Sequence, residues 1–157
     1  MSHSDASLNP SAALTDSDAL EAIYVVRRSL MESGQGAVVA VTDAHGELLG
    51  LLRVGGATLS CIRIASNKAY TSSREKTPSS ALGEAARAGG YELAYYGDPR
   101  YVGWGGGIPV WRCGSVVGAI GVSGLEETDD VTLAERAARS IGDAAPAAAM
   151  TKRDSIG

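Results

Sequence analysis

The feature that most limits how this chain can fold is the run Gly105-Gly106-Gly107-Ile108-Pro109-Val110, followed by Gly114-Ser115-Val116-Val117-Gly118-Ala119-Ile120-Gly121-Val122-Ser123-Gly124. Three adjacent glycines let backbone N–H groups approach a ligand where any Cβ would clash, and Pro109 fixes the exit into an extended segment. The second run is apolar and β-branched but broken by glycine at 118, 121 and 124. That pattern suits a buried strand that another backbone or a flat ligand approaches closely. A tight glycine-rich hairpin is the plainer reading; it explains Gly114 and Gly124 but does not require three consecutive glycines before Ile108.

The 157 residues amount to one domain, read as 13–145 between a disordered tail at 1–12 and a flexible tail at 146–157. A net charge of −4 with 14 scattered basic residues argues against a nucleic-acid partner, which needs a concentrated basic face. No window approaches the roughly 20 apolar residues of a membrane helix, and Met1 to Ala12 lacks the basic-then-apolar order of a signal peptide. Cys61 and Cys113 lie far apart, without the neighbouring Cys or His of a metal site. The chain therefore reads as reduced and cytoplasmic, with two buried or idle thiols. Phenylalanine is absent while alanine and glycine abound, so the core is built from small and β-branched residues and is expected to be completed by homo-oligomerisation.

Thr15-Asp16-Ser17-Asp18 has the form of a helix cap, and Leu20, Ile23, Val26 and Leu30 follow at helical spacing with Arg27 and Arg28 outward, ending near Gly34. Ala37 to Val41, a turn at Asp43 to Gly46, and Leu48 to Arg53 predict an antiparallel hairpin. Thr58 is placed to cap a helix over 59–73, and Thr77 a second one that has Pro78 in its first position and runs to about Ala88 before Gly89-Gly90. Tyr91, Tyr95, Tyr96, Tyr101 and Trp104 then cluster in a loop that reads equally as a pocket or subunit wall and as a satellite core. Ile108 to Trp111 and Ser115 to Val122 predict a second hairpin, and Thr128 caps a last helix over 129–141. The order helix, hairpin, helix, helix, hairpin, helix is α+β, an antiparallel sheet flanked by helices.

Asp43 to Gly46, Leu51 to Arg53, Lys68-Ala69-Tyr70-Thr71, Thr77-Pro78, Gly105 to Pro109, Gly118 to Gly124, Asp130 and Ala134 together resemble the GlcG/HbpS family, over roughly Leu14 to Gly142. That family includes haem-binding proteins and the C-terminal domain of PduO-type adenosyltransferases. The resemblance implies a profilin-like sandwich with a five-stranded antiparallel sheet between helices, assembled into dimers or larger rings. This chain departs from the pattern after Arg53, where Gly55-Gly56-Ala57 replaces an Asp-Gly-Ala segment.

Two functions are compatible with these residues. The first is a non-catalytic binder of haem or a similar anionic planar ligand: Gly105, Gly106 and Gly107 supply space, Trp104, Tyr95 and Tyr96 supply walls, and Lys68 or Arg53 supplies a cation for its carboxylates. Iron ligation would fall to the tail His3, the turn His45, a tyrosine or a weak hydroxyl. The second is a cofactor-independent isomerase, tautomerase or hydro-lyase acting on a small carbonyl or carboxylate compound. There the glycine amides stabilise an oxyanion, Lys68 holds a carboxylate or acts as an acid, and Asp130 or Tyr101 carries the proton.

Overall fold

The structure, a computed structural model, describes residues 12–149. Its elements are α1 (Asp16–Ser33), β1 (Ala37–Asp43), β2 (Leu48–Val54), α2 (Ser60–Glu75), α3 (Ser79–Gly89), β3 (Gly107–Arg112), β4 (Ser115–Ser123) and α4 (Glu127–Ile141). The strands form one antiparallel sheet in the order β2-β1-β4-β3. The α+β order expected from the sequence is present, but the sheet has four strands among the described residues, not five.

The long segment between α3 and β3 adds no strand to the sheet. Between α3 and β3 the chain forms a 3₁₀ turn at Leu93–Tyr96. Further on, its backbone bonds to helix side chains instead of a strand: the Thr71 hydroxyl donates to the Arg100 carbonyl at 3.2 Å and accepts from the Val102 N–H at 3.0 Å. Backbone groups satisfied in this way have no need of a ladder.

The two faces of the sheet differ in side-chain size. Val39, Val41, Ile120 and Val122 point to one side, where they pack with Ile23, Val26 and Leu30 of α1 and Leu133, Ala134 and Ala137 of α4. The other side carries Val38, Ala40 and Ala119, which meet Cys61, Ala65 and Ala69 of α2. Here the helix backbone lies directly on the sheet. A Cβ at Gly121 would stand 2.0 Å from the Ala65 carbonyl oxygen and 2.8 Å from the Ala69 nitrogen. The glycine-broken strand therefore answers to another backbone, and α2 itself is what approaches.

Helix caps follow the sequence only in part. Thr15 and Asp18 form the expected capping box on α1, and Gly34 closes it with φ 70°. Thr58 does not cap α2; its hydroxyl lies 3.1 Å from the Ser60 hydroxyl and 3.2 Å from the Cys61 sulfur. Pro78 is the N-cap of α3 instead of its first residue, and α4 starts two residues earlier than expected, after Glu126, without a Thr128 cap. Leu20, expected inward, is 53% exposed, because α1 buries Ala19, Ala22 and Ile23 instead. Cys113 is exposed, so only Cys61 is a buried thiol.

Most of both expected tails lies outside the described residues. Within them, Ala12 packs on the core and its carbonyl accepts from Arg112, and the Ala149 N–H donates to the Pro146 carbonyl. Among the described residues no helix is long and apolar enough to cross a membrane.

The contact at Gly121 yields a direct test. Gly121→Ala should lower the unfolding free energy by about 1–3 kcal/mol or more, since the added methyl overlaps helix backbone that has no rotamer to change. Gly56→Ala, where a Cβ meets nothing within 4 Å, should leave the urea midpoint unchanged.

Candidate functional site

Lys68 sits on the face of α2 that lies against the sheet, so its ammonium is largely withdrawn from water and the residue is only 3% exposed. A buried ammonium needs acceptors. Nζ donates to the Val122 carbonyl at 2.9 Å and to Asp130 Oδ2 at 3.2 Å. Asp130, in the first turn of α4, accepts the Leu125 N–H on its other oxygen at 3.0 Å. Burial pushes the Asp130 carboxyl above the usual carboxylate range, against the opposing pull of Lys68. The pair joins α2, the end of β4 and the start of α4 across 62 residues of sequence.

Beside it opens a cavity of about 340 Å³, walled by Cys61, Lys68, Trp104, Gly105, Gly124, Glu127 and Asp130 among others. Its volume is at the small end of the range for small-molecule sites. Trp104 stands at its rim, 59% exposed. A larger groove of about 530 Å³ runs between β3 and α4, but its charged side chains, such as Glu135, Arg136 and Arg139, are all exposed. We place the candidate site at the smaller cavity, because of the two it is the one that joins a concavity to buried, perturbed charge.

The triple glycine has a different task from the one its sequence suggests. The Gly105 N–H donates to Glu127 Oε1 at 2.9 Å, and the Gly107 N–H donates to the Ser79 hydroxyl at 2.9 Å. The Ser79 hydroxyl in turn donates to the Trp104 carbonyl at 2.6 Å. Two of the three amides expected to face a ligand are therefore already taken by the protein. Gly106 has φ 122°, and a Cβ there would stand 2.5 Å from the Val122 carbonyl oxygen and 2.9 Å from Lys68 Nζ. Gly107 leaves no more room, with the Lys68 carbonyl 2.3 Å from its Cβ position. The glycines let the loop close over the ion pair.

Of the residues singled out from the sequence, Lys68, Asp130, Gly105 and Trp104 share this cavity, with Gly106 packed against its ion pair. Arg53 lies exposed on the edge strand β2, opposite Val38. Tyr101 and Tyr96 are elsewhere: their rings stack at 4.6 Å, and Tyr101 meets Tyr70 edge-on at 5.6 Å. Burial raises the Tyr101 phenol, with Glu75 adding to the shift. Tyr70 donates to Asp98 at 2.8 Å and lies under the Arg100 guanidinium at 3.8 Å. Arg100 holds the Asp98 carboxyl well below the usual range. Tyr95 is 80% exposed. His45 is exposed in the β1–β2 turn, and His3 lies outside the described residues. Among the described residues there is no cluster of three or more metal-ligating side chains.

Cys61, Glu127 and Ser79 were not anticipated. Cys61 had a sequence signal, since it precedes Lys68 by seven residues, two helical turns, on the same face of α2. Glu127 and Ser79 had none, because their roles depend on long-range contacts.

The profile described as haem degrading protein, HbpS-like, matches residues 14–139. The chain belongs to the HbpS-like family. It is similar to the crystal structure of HbpS, with 27% identity and a TM-score of 0.77 over 91% of this chain and 100% of that one. It is also similar to a structure described as a PduOC:heme complex, with 28% identity and a TM-score of 0.76 over 82% and 95%. The corrinoid adenosyltransferase PduO of Salmonella typhimurium is 32% identical over 106 residues, 66% of this chain. The chain spans about a third of the length of that relative, 32%.

Breaking the ion pair on one side should cost far more than removing both charges. Lys68→Met should destabilise by about 3–5 kcal/mol by stranding a buried carboxylate, and Lys68→Met with Asp130→Leu should recover most of it. Urea denaturation of the two variants measures the difference.

Proposed function

We propose that this HbpS-like protein is a small-molecule-binding protein that takes haem, or a similar anionic planar ligand, at the Lys68 cavity. One observation carries the reading. The Lys68 ammonium has three N–H bonds and the protein accepts two of them, so a buried donor remains beside the cavity for an anionic ligand. The haem complex of a relative with the same fold supports haem as that ligand.

The residues present fit such a group. Gly105 and Gly124 leave the wall without side chains, and the donor set offers a thiol, an ammonium and two carboxylates. Lys68 would hold an anionic edge, Trp104 would cover an apolar face, and haem would supply a redox-active iron. At about 340 Å³ the cavity would hold only part of a porphyrin, and in this reading a second copy in a homo-oligomer covers the remainder. Exposed Leu20, Tyr24 and Met31 on α1 agree with further contacts between copies. The two free thiols support a reducing, cytoplasmic setting.

A second reading rests on the raised Asp130 carboxyl beside Lys68. A carboxyl with a raised proton affinity suits proton transfer, as a cofactor-independent isomerase, tautomerase or hydro-lyase would use on a small carboxylate.

Hemin titration discriminates. Saturable growth of a Soret band at a fixed stoichiometry, with quenching of Trp104 fluorescence, is the expected result. Trp104→Leu should keep the band and lose most of the quenching. A non-saturating, purely additive spectrum would remove the haem reading and leave the enzyme reading.

A further inference from the structure

We propose that Ser123 completes a carboxylate subsite in the Lys68 cavity, where its hydroxyl and the third N–H of the Lys68 ammonium together hold one carboxylate of the ligand. This assignment rests on the reading that the Lys68 cavity takes an anionic ligand, and it names the group of that ligand that is held. Ser123 lines the cavity and is 5% exposed, yet its hydroxyl makes no hydrogen bond among the described residues. A hydroxyl withdrawn from water without a partner is costly, and one set in a cavity wall has its partner in whatever fills the cavity.

The sheet and α2 bring the two donors together. Ser123 of β4 lies opposite Val38 of β1, and Val38 belongs to the face that α2 covers. Directly opposed residues of a ladder point to the same side, so Ser123 faces α2 while its neighbour Val122 faces α1 and α4. Lys68 Nζ donates at 2.9 Å to the Val122 carbonyl, which belongs to the peptide link leading into Ser123. Both donors therefore meet at the last peptide of β4.

The other polar groups of the wall do not compete for this role. Asp130 gives one oxygen to Lys68 and the other to the Leu125 N–H. Glu127 is exposed and accepts the Gly105 N–H, and the Cys61 thiol meets the Thr58 hydroxyl. Two adjacent donors match an acceptor with two oxygens. One ammonium set against Asp130 and Glu127 favours a singly charged group over phosphate or sulfate, whose extra charge the two carboxylates would repel. Trp104 and Leu125 suit an apolar body behind that group. A free organic acid and a propionate arm of a porphyrin present the same chemistry.

The test uses the full chain and two probes, benzoate and hemin, each with a control that lacks the charged carboxylate, benzamide and hemin dimethyl ester. Saturable binding of a carboxylate probe, with a shift of the Lys68 ¹⁵Nζ resonance that its control does not produce, is the expected result. Ser123→Ala should weaken that binding by about tenfold. Its urea midpoint should stay at or above the parent's, because the hydroxyl has no partner to lose. Dependence on Ser123 for benzoate alone makes the source a free small acid; dependence on both Ser123 and the free acid form for hemin makes it a porphyrin propionate. Binding by Ser123→Ala at parent affinity, or a lowered midpoint that marks the hydroxyl as structural, would overturn the Ser123 assignment and leave the Lys68 reading intact. Equal binding of each probe and its control, or no saturable binding of either probe by the parent chain, would overturn both.

Discussion

The close approach of α2 to β4 at Gly121 is the constraint on which the rest depends. With no Cβ on Gly121 and only alanine around it, the helix backbone rests on the sheet, and the side chains flanking Ala65 and Ala69 are drawn inside. Lys68 is one of them. Its burial demands an acceptor set that the sheet alone cannot give, and Asp130, delivered by α4, supplies the charge while the Val122 carbonyl supplies a second acceptor. One packing decision thus produces a buried ion pair, and the pair ties together three elements that border a cavity.

This coupling explains why the glycine loop looks like a ligand cradle yet is mostly occupied by the protein itself. Gly106 must pass within contact distance of Lys68 and Asp130, and Gly107 must lie on the Lys68 carbonyl. Glu127 and Ser79 then fix the neighbouring amides. The loop is a lid on a charge pair, and the cavity opens beside it, with Trp104 and Cys61 in its wall.

Local signals in the sequence were legible and distant ones were not. The capping box at Thr15 and Asp18, the Gly34 stop and both hairpins depend on a few adjacent residues, and all are present. Thr58 and Thr128 carried the same kind of cap signal, but α2 and α4 begin where contacts with the sheet and the loop place them. The partnership of Lys68 and Asp130 spans 62 positions, and no spacing rule reaches so far. Tyr101 was suggested as a proton carrier beside them; the structure puts it against Tyr70 and Tyr96. Cys61 could have been noticed from its two-turn offset to Lys68, but the cavity they share exists only after folding.

The account stands on Asp130 being a buried carboxyl that Lys68 only partly relieves. Its pKa in the folded protein, read from the carboxyl ¹³C shift in an NMR titration, measures this directly. The expected value lies above 3.8, the ordinary value, because burial outweighs the ammonium beside it. Folding would then take up a proton at this group, and its contribution to stability would fall as pH rises from the unfolded value through the folded one. A value at or below 3.8 would contradict the account, since it would mean that Lys68 or solvent stabilises the ionised form fully and that the cavity wall is not the desolvated site described.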